Sequence, residues 1–389
     1  MSENHKNFQI AIIGGGIAGI VLAISLLKRN IPCKIYERAP VFSDIGAGLG
    51  ISPNAQDAMA TCDPSVHEAF RKVANGNTWE SKKNFLFEFH DGMDGATTDS
   101  SLFHIENLEE DGSGGIRLVF QDGSIEEADA VVGCDGIRSK VREILFGVDH
   151  PSSKCSYTHK YAYRGMIPMK QAVEVLGGER ALNATIWLGK DKHLLSYPVA
   201  HGTILNVVAY CSSSDDWPSE SQLVLLATKE DLLHDFEGFR PSVLNILDNT
   251  ERLDRWAIFD LGGNPVPTFV KGRVCIIGDA AHASSPHHGA GAGLCTEDAA
   301  VLASMLARDR VQVGADIEAA FTAFDKSRRQ RCQWVVQKSR RAGQLFERQT
   351  ELGSDFGQVL EELHETLPTI WDYDIEEVIK TASIELDKA

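Results

Sequence analysis

The sequence predicts an α/β fold, with a Rossmann-like dinucleotide-binding domain, a β-rich second domain and C-terminal helices. Three observations carry this prediction. A glycine-rich turn joins an apolar strand to an apolar helix within the first 30 residues. From about 160 to 267, apolar and polar residues alternate as they do in antiparallel strands. From 315 to 346, apolar residues recur near helical spacing.

The first element pair lies in "FQIAIIGGGIAGIVLAISLLKRNIPCKIYER", residues 8–38. Its first six residues are almost continuously apolar, which predicts a strand buried in a parallel sheet. Gly14, Gly16 and Gly19 then form a G-x-G-x-x-G turn. The first glycine permits the tight turn, the second lets backbone approach a pyrophosphate, and the third lets helix and strand pack closely. The free N–H groups of the helix N-terminus favour the anion.

A second apolar strand, 33–36, ends at Glu37, about 20 residues after the turn. A carboxylate at this place accepts a hydrogen bond from a ribose hydroxyl and favours an unphosphorylated ribose, so the ligand is FAD or NAD rather than NADP. Arg38 beside it is a further cofactor-binding candidate. A glycine-rich loop without a ligand is the alternative. Strand, helix, second strand and acid in this order favour the dinucleotide site.

Two later strands end in acidic motifs. "ADAVVGCDGIRSKVR" runs into Asp135 and Gly136, which alone indicates only a turn. "GRVCIIGDAAH" runs into Gly278 and Asp279. Because ligands collect at the carboxyl ends of parallel strands, Asp279 is predicted to be a second acceptor for hydroxyl groups.

Composition limits the class of partner. The net charge is −17, from 38 basic and 55 acidic residues, which argues against nucleic acid and anionic membranes. The eight cysteines include no C-x-x-C pair, which favours reduced thiols. The start of the chain has no apolar signal segment, and glycines interrupt the longest apolar run. We therefore expect a cytoplasmic protein without a membrane span.

These motifs, with "GDAAHASSPHHGAGAGLCTEDAAVLA" at 278–303, "GAGLGISPNA" at 46–55, "YRGMIP" at 163–168 and "HLLSYPV" at 193–199, resemble a known family. The chain is similar over most of 8–346 to FAD-dependent aromatic-ring monooxygenases of the salicylate hydroxylase type, which have the p-hydroxybenzoate hydroxylase fold. The resemblance implies FAD, transient NADH or NADPH, O2 and a small-molecule substrate. One oxygen atom would enter an electron-rich, phenolic acid-like ring through a flavin hydroperoxide.

The resemblance also implies roles for single residues. Glu37 would bind the adenosine ribose and Asp279 the ribityl chain, and Asp135–Gly136 would lie near the pyrophosphate and the nicotinamide approach. Pro286 would hold its loop against the isoalloxazine face. The glycine-opened helix after it would direct N–H groups at the pyrimidine edge of the flavin. The remaining cofactor-binding candidates of this region are Gly278, Gly289, Gly291 and Ala292.

The predicted division has four parts: 1–160 and 268–310 form the FAD-binding domain, 161–267 the β-sheet substrate domain, and 311–389 the C-terminal helices. A homodimer is a candidate assembly. The basic residues of "KSRRQR" and "KSRR" are predicted to be a solvated helix face, and "TLPTIWDYDIEEVIKTA" an acidic amphipathic tail helix.

The substrate region offers polar side chains on one strand. In "HLLSYPV", His193, Leu195 and Tyr197 point to one face. His193 and Tyr197 would hydrogen-bond a phenol or carboxylate; the alternative is a satisfied pair without a ligand. Arg164 and its neighbour Tyr163 are weaker candidates, Arg164 being equally compatible with a structural ion pair. Gly50, lacking a side chain, would enlarge the pocket.

The chain departs from the family near residues 90–104. Relatives carry a helix resembling hRxxLxxxL there, whose arginine packs beside FAD. Here Phe85 to Phe89 predicts a strand, and a loop of Gly, Asp, Ser and Thr follows. Arg117 and Arg138 are candidate substitutes for the arginine. One alternative to the enzyme is therefore a non-catalytic remnant that folds but binds FAD poorly.

Three histidines, His282, His287 and His288, invite a metal hypothesis. Metal sites need ligands that converge in fixed geometry, but Asp279 already has a role and Cys295 falls within the next helix. We predict no metal. Two further alternatives are a monooxygenase acting on a non-aromatic natural product and a flavin oxidoreductase without oxygen insertion.

Overall fold

The computed structural model of the chain describes residues 6–38, 48–82, 87–93, 115–119, 125–219 and 221–389. Its strands, numbered in chain order, are β1 Ile10–Ile13, β2 Cys33–Tyr36, β3 Glu88–Asp91, β4 Gly115–Val119, β5 Ile125–Gly133, β6 Ser156–Pro168, β7 Thr185–Leu188, β8 Lys192–Val199, β9 Ile204–Ser212, β10 Val224–Leu226, β11 Glu251–Asp260, β12 Val270–Lys271 and β13 Val274–Ile276. Its α-helices are α1 Ile17–Lys28, α2 Pro53–Cys62, α3 Pro64–Val73, α4 Lys140–Phe146, α5 Met169–Leu176, α6 Gly178–Ala181, α7 Lys229–Asp235, α8 Pro241–Asp248, α9 Asp279–His282, α10 Gly291–Ala307, α11 Gly314–Phe346, α12 Phe356–Trp371 and α13 Ile375–Lys388.

The first sheet has the order β12-β13-β5-β1-β2, with β4 added antiparallel to β5. β1 is parallel to both β2 and β5, and β13 is parallel to β5. The register aligns the carboxyl ends of these strands, pairing Ile13 with Tyr36 and Gly133, and Gly133 with Ile276. The loops that follow β1, β2, β5 and β13 therefore leave the sheet side by side, as the sequence predicts for a ligand site.

The second sheet has the order β10-β11-β6-β9-β8-β7-β3, and all its pairs except β3–β7 are antiparallel. Its core side packs against α5, α7 and α8 through side chains such as Phe236 and Ile246. The strand predicted at 85–89 lies partly outside the described residues. The described part, β3, belongs to this second sheet beside β7.

Helices α10 and α11 share one hydrophobic core with the first sheet. α10 is buried along nearly its whole length. The apolar residues whose spacing predicts α11 are all buried in this core. They are Ile317, Phe321, Phe324, Cys332, Val335, Ala342 and Phe346. The prediction of a single tail helix in "TLPTIWDYDIEEVIKTA" is wrong. The Asp374 carboxylate accepts a hydrogen bond from the Glu377 amide at 3.0 Å and begins a separate helix, α13.

All eight cysteines are free, which agrees with the expectation of reduced thiols. Within the described ranges, none of the helices has both the length and the apolar character needed to cross a membrane.

Candidate active site

The glycine-rich turn has the packing that its sequence predicts. Gly14 has φ of +108°, and a Cβ there would lie 2.4 Å from the Cys134 carbonyl oxygen. A Cβ on Gly19 would lie 2.0 Å from the Gly14 oxygen. Gly16, by contrast, faces open space, with no atom within 4 Å of its Cβ position. Gly14 and Gly19 are thus required by the fold, whereas the bare backbone at Gly16 lines a vacant surface at the N-terminus of α1.

Glu37 and Arg38 follow β2 and are both exposed. A Glu37 carboxylate oxygen accepts a 2.6 Å hydrogen bond from the Gly15 amide, so the acid lies directly beside the glycine turn. This proximity is the one that a ribose-binding carboxylate needs. The role itself stays a prediction, as does that of Arg38.

Asp135 lies at the same edge but is already engaged. It accepts hydrogen bonds from the Ser139 hydroxyl at 2.5 Å and from the Lys140 and Val141 amides at 2.7 and 3.0 Å. It therefore organises the start of α4. Gly136 has φ of +74° and open space at its Cβ position. Its place near the pyrophosphate stays a prediction.

Asp279 stands at the first turn of α9. Gly278 before it has φ of +61°, and a Cβ there would lie 2.9 Å from the Cys295 sulfur, so glycine is required. The Asp279 side chain is exposed, yet the protein around it raises the pKa of its carboxyl by desolvation, an effect that His282 and Arg142 oppose. An exposed carboxylate at this edge of the sheet can accept hydrogen bonds from hydroxyl groups.

The segment after α9 contains the remaining cofactor-binding candidates. Pro286 and Gly289 are exposed, and Gly289 is left-handed with open space at its Cβ position. Gly291 and Ala292 begin α10, which is 17 residues long, so its N-terminal amides offer a second anion-favouring helix end. Gly293 has a different role: its Cβ would lie 3.2 Å from that of Ala55, and the bare backbone lets α10 pack on α2.

The three histidines enter separate environments. His282 bonds Asp298 at 2.5 Å, with both side chains buried. His288 is buried, which lowers its pKa to about 4. His287 lies beside His193, with 5.2 Å between ring centroids.

Two buried groups of the described residues bring potential metal ligands within 4.8 Å of one another; these are His193 with His287 and Glu347, and His282 with Asp298 and Cys332. In each group a cationic side chain already holds the carboxylate. Lys160 pairs with Glu347, and Arg328 pairs with Asp298 at 2.9 Å. These cations oppose a further cation electrostatically. The absence of a metal stays a prediction.

One face of the second sheet lies beside His287. His193, Leu195 and Tyr197 share that face, as alternation predicts, and the Tyr197 hydroxyl donates to the Gly48 carbonyl at 3.2 Å. His193 is only 2% exposed, and its ring stacks on Tyr210 at 4.3 Å. The functional assignment of Tyr197, His193 and Pro286 stays a prediction.

The two weaker candidates fall on opposite faces. Tyr163 donates to Asp235 at 2.8 Å beneath the helices, away from the cleft. Arg164 lies on the face of Tyr197, with its guanidinium 4.6 Å from the Trp256 ring centroid. Gly50 is exposed and adjoins open space, and its effect on the pocket stays a prediction.

Known proteins match this chain in sequence and in fold. The family model of an FAD binding domain matches residues 104–339. A salicylate hydroxylase, asL1 of Sarocladium schorii, is 37% identical over 97% of this chain and 90% of its own. This chain belongs to the FAD-dependent monooxygenases. The resemblance seen in the sequence, the fold class and the FAD cofactor are thereby confirmed.

Two further matches support the family. The solved structure of a salicylate hydroxylase substrate complex superimposes with a TM-score of 0.83 at 30% identity, over 96% of this chain and 98% of that one. The dual trans-enoyl reductase/FAD-dependent monooxygenase tazHJ of Aspergillus terreus is 41% identical over 97% of this chain. The chain spans 60% of the length of that relative.

The relatives hold residues that this chain lacks. They extend over 421 and 434 positions but contain 97% of the 389 residues of this chain, so about 40 to 60 positions hold a residue only in the relatives. Residues 94–104 and the side chain of Arg117 lie outside the described residues. Arg138 is exposed and donates to the Ser221 carbonyl at 2.6 Å.

The described residues fit FAD. Bare backbone adjoins open space at Gly16, Gly136 and Gly289, where side chains would fill the cleft. The N-termini of α1 and α10 suit a phosphate and a developing negative charge. Glu37 and Asp279 are exposed carboxylates that can bind ribose and ribityl hydroxyls.

Sequence reasoning missed one residue of this region. Glu347, just after α11, is 0% exposed and its carboxylate lies 3.0 Å from Nδ1 of His193. The segment "LFERQT" has no motif that could have indicated it.

Proposed function

We propose that this monooxygenase hydroxylates an electron-rich phenolic acid, or a similar aromatic small molecule, using NADH or NADPH and O2. The observation that carries the proposal is the polar sheet face beside the cofactor cleft. It combines a cation, Arg164, with two hydrogen-bonding side chains, Tyr197 and His193. A phenolic acid presents the matching groups, a carboxylate and a hydroxyl.

When bound and reduced by the nicotinamide, FAD supplies the oxygen activation. The protein binds and orients the cofactor and the substrate. With FAD bound, the N-terminal amides of α10 would stabilise negative charge on it, and Pro286 would fix the loop before α10. His193, whose pKa burial lowers, is neutral at neutral pH and can accept a proton from the substrate hydroxyl.

The experiment is substrate-stimulated oxidation of NADH and NADPH across a panel of phenolic acids, with mass spectrometry of the product. A product heavier by one oxygen supports the proposal. Stimulated oxidation without such a product indicates a plain oxidoreductase, and turnover of non-aromatic compounds alone indicates the natural-product alternative.

Replacing Arg164 by methionine is expected to raise KM for carboxylated phenols by about 10- to 100-fold, because a charge-assisted hydrogen bond contributes about 1.5–3 kcal/mol. KM for phenols without a carboxylate should change little. Arg255→Met is the matched control: its guanidinium lies 5.2 Å from the Tyr161 ring on the opposite face of the same sheet. Equal effects of both variants on both phenols would contradict the assignment.

A second candidate, the FAD-poor remnant, is favoured by a specific observation. The α1 face bearing Ile17, Ile20 and Leu27 is 37–59% exposed, and β2 is an edge of the first sheet among the described residues. An apolar stripe beside an open sheet edge is a surface that further segments of a protein usually cover. Relatives have about 40 to 60 positions that this chain lacks. Visible absorption of the purified protein decides between the candidates: a colourless, folded preparation that takes up no added FAD rules out the monooxygenase.

A further inference from the structure

The C-terminal end of α11 is fixed against the β7–β8 turn. The Gly189 amide donates to the Phe346 carbonyl at 3.2 Å, and the Asp191 amide donates to the Glu347 carbonyl at 2.9 Å. Arg348 after it has φ of +56° and pairs with Asp91 on β3. These contacts direct the Glu347 side chain inward, into the second sheet, from an element 154 residues away from His193 in sequence.

Both oxygens of the Glu347 carboxylate are engaged. One lies 3.0 Å from Nδ1 of His193, and the other accepts from Lys160 and, at 2.5 Å, from the Ser212 hydroxyl. Lys160 also donates to Gln349 at 2.9 Å. A fully buried carboxylate with this many donors is held ionised and in one orientation. Although burial alone would raise the pKa of Glu347, His193 and Lys160 outweigh it and lower that pKa.

An ionised carboxylate only accepts hydrogen bonds, so the hydrogen between it and His193 belongs to Nδ1. Nε2 is then the free acceptor of a neutral ring. The groups around that ring are Lys160 on β6, Tyr210 on β9, His287 after Pro286, and Glu347 itself. Burial lowers the pKa of His193, and the hydrogen bond that Nδ1 donates to Glu347 opposes this shift without reversing it, so the ring is neutral.

The His287 ring packs beside His193 and Tyr210, with 5.2 and 5.3 Å between ring centroids. Neither of its ring nitrogens has a hydrogen-bond partner among the described residues, and it is 8% exposed. A ring nitrogen of His287 comes within 4.8 Å of one on His193.

We propose that Glu347 is a positioning residue that holds His193 in the Nδ1–H tautomer, so that Nε2 takes the proton from the substrate hydroxyl. The inference rests on the proposed function. In the step the substrate O–H bond breaks, an Nε2–H bond forms, and the bonding pair stays on oxygen. The product is a substrate oxyanion beside an imidazolium that Glu347 neutralises. No electron is transferred.

The test is the tautomer of His193 in the full chain, measured by NMR after labelling histidine with ¹⁵N. The signal is assigned by its loss in His193→Gln. The wild type should show Nδ1–H. In Glu347→Gln, Lys160 still needs an acceptor, so the amide oxygen turns to it and the amide N–H groups face Nδ1. His193 should then switch to Nε2–H. Glu347→Asp should keep Nδ1–H, and Glu351→Gln, whose carboxylate is 70% exposed, should leave the signals unchanged.

The kinetic arm separates positioning from mere structure. Glu347→Gln should lower kcat about 100-fold for phenols that are protonated at the assay pH, with KM little changed. A phenol acidic enough to be ionised already should recover most of the rate. Loss of that difference, or a switched tautomer with wild-type kcat, overturns the base role of His193.

Two results overturn the inference without any variant: an Nε2–H tautomer in the wild type, or stoichiometric Zn²⁺ binding that shifts the His193 and His287 signals together. The tautomer requires neither substrate nor turnover. Failure of the proposed function would instead appear as no oxygenated product from any phenol while the tautomer still depends on Glu347.

Discussion

Valine in place of Gly16 is expected to leave the chain folded but free of FAD. No atom lies within 4 Å of the Cβ position, and the φ of −72° and ψ of −173° suit a β-branched residue. Because glycine caps a helix better than valine does, we expect a loss of about 1 kcal/mol in unfolding free energy. The side chain would occupy the space through which backbone approaches the pyrophosphate, so FAD affinity should fall at least about 100-fold. Bound flavin per chain and urea unfolding measure the two effects.

Alanine at Gly14 is the matched comparison and should give the opposite result. Its Cβ would lie 2.4 Å from the Cys134 carbonyl oxygen, and its φ of +108° is disfavoured for any residue with a side chain. Strain and overlap together should lower the unfolding free energy by about 3 kcal/mol or more. If both variants lost FAD and stability in proportion, the turn would be a structural feature and the cradle assignment would be contradicted.

The sequence could predict the first sheet and its loops because their signals are local. An apolar strand, three glycines at fixed spacing and a terminal acid each constrain backbone within a few residues. Parallel pairing then aligns Ile13, Gly133 and Ile276, so that three distant motifs meet at one edge. The same locality explains why His193, Leu195 and Tyr197 were predicted to share a face: strand alternation needs no tertiary information.

What the sequence could not predict depends on contacts between distant segments. Tyr163 and Arg164 are adjacent, and only the packing of the helices against one side of the sheet decides which of them faces the cleft. Asp135 was predicted from the family to bind near the pyrophosphate, but its carboxylate also organises α4, a contact set by the chain after it. Glu347 reaches His193 only because two backbone hydrogen bonds fix the end of a 33-residue helix.

Replacing Asp298 by asparagine is expected to lower the free energy of unfolding strongly. The Asp298 carboxylate, 0% exposed, accepts from the Gly278 amide at 3.0 Å and from the Arg328 guanidinium at 2.9 Å, and bonds His282 at 2.5 Å. The isosteric amide removes the charge and leaves Arg328 and a protonated His282 with one buried anion fewer. Breaking such a network by removing one partner costs about 3–5 kcal/mol. Asp387→Asn, in an exposed pair with Arg308, should cost at most about 1 kcal/mol.

The pH dependence identifies charge as the cause. Although burial alone would raise the pKa of Asp298, His282 and Arg328 lower it to about 2, so its stabilisation is present above its usual pKa of 3.8 and is lost as the pH falls toward 2. Burial alone would lower the pKa of His282, but Cys332 and Asp298 raise it well above its usual 6.5, so that part is complete below pH 6.5 and is lost as the pH rises through the folded value. The difference in urea unfolding free energy between wild type and Asp298→Asn should therefore be largest between about pH 4 and 6.5. A difference that is constant from pH 3 to 9 would mean that packing and not the ion pair fixes the Gly278–Asp279 turn.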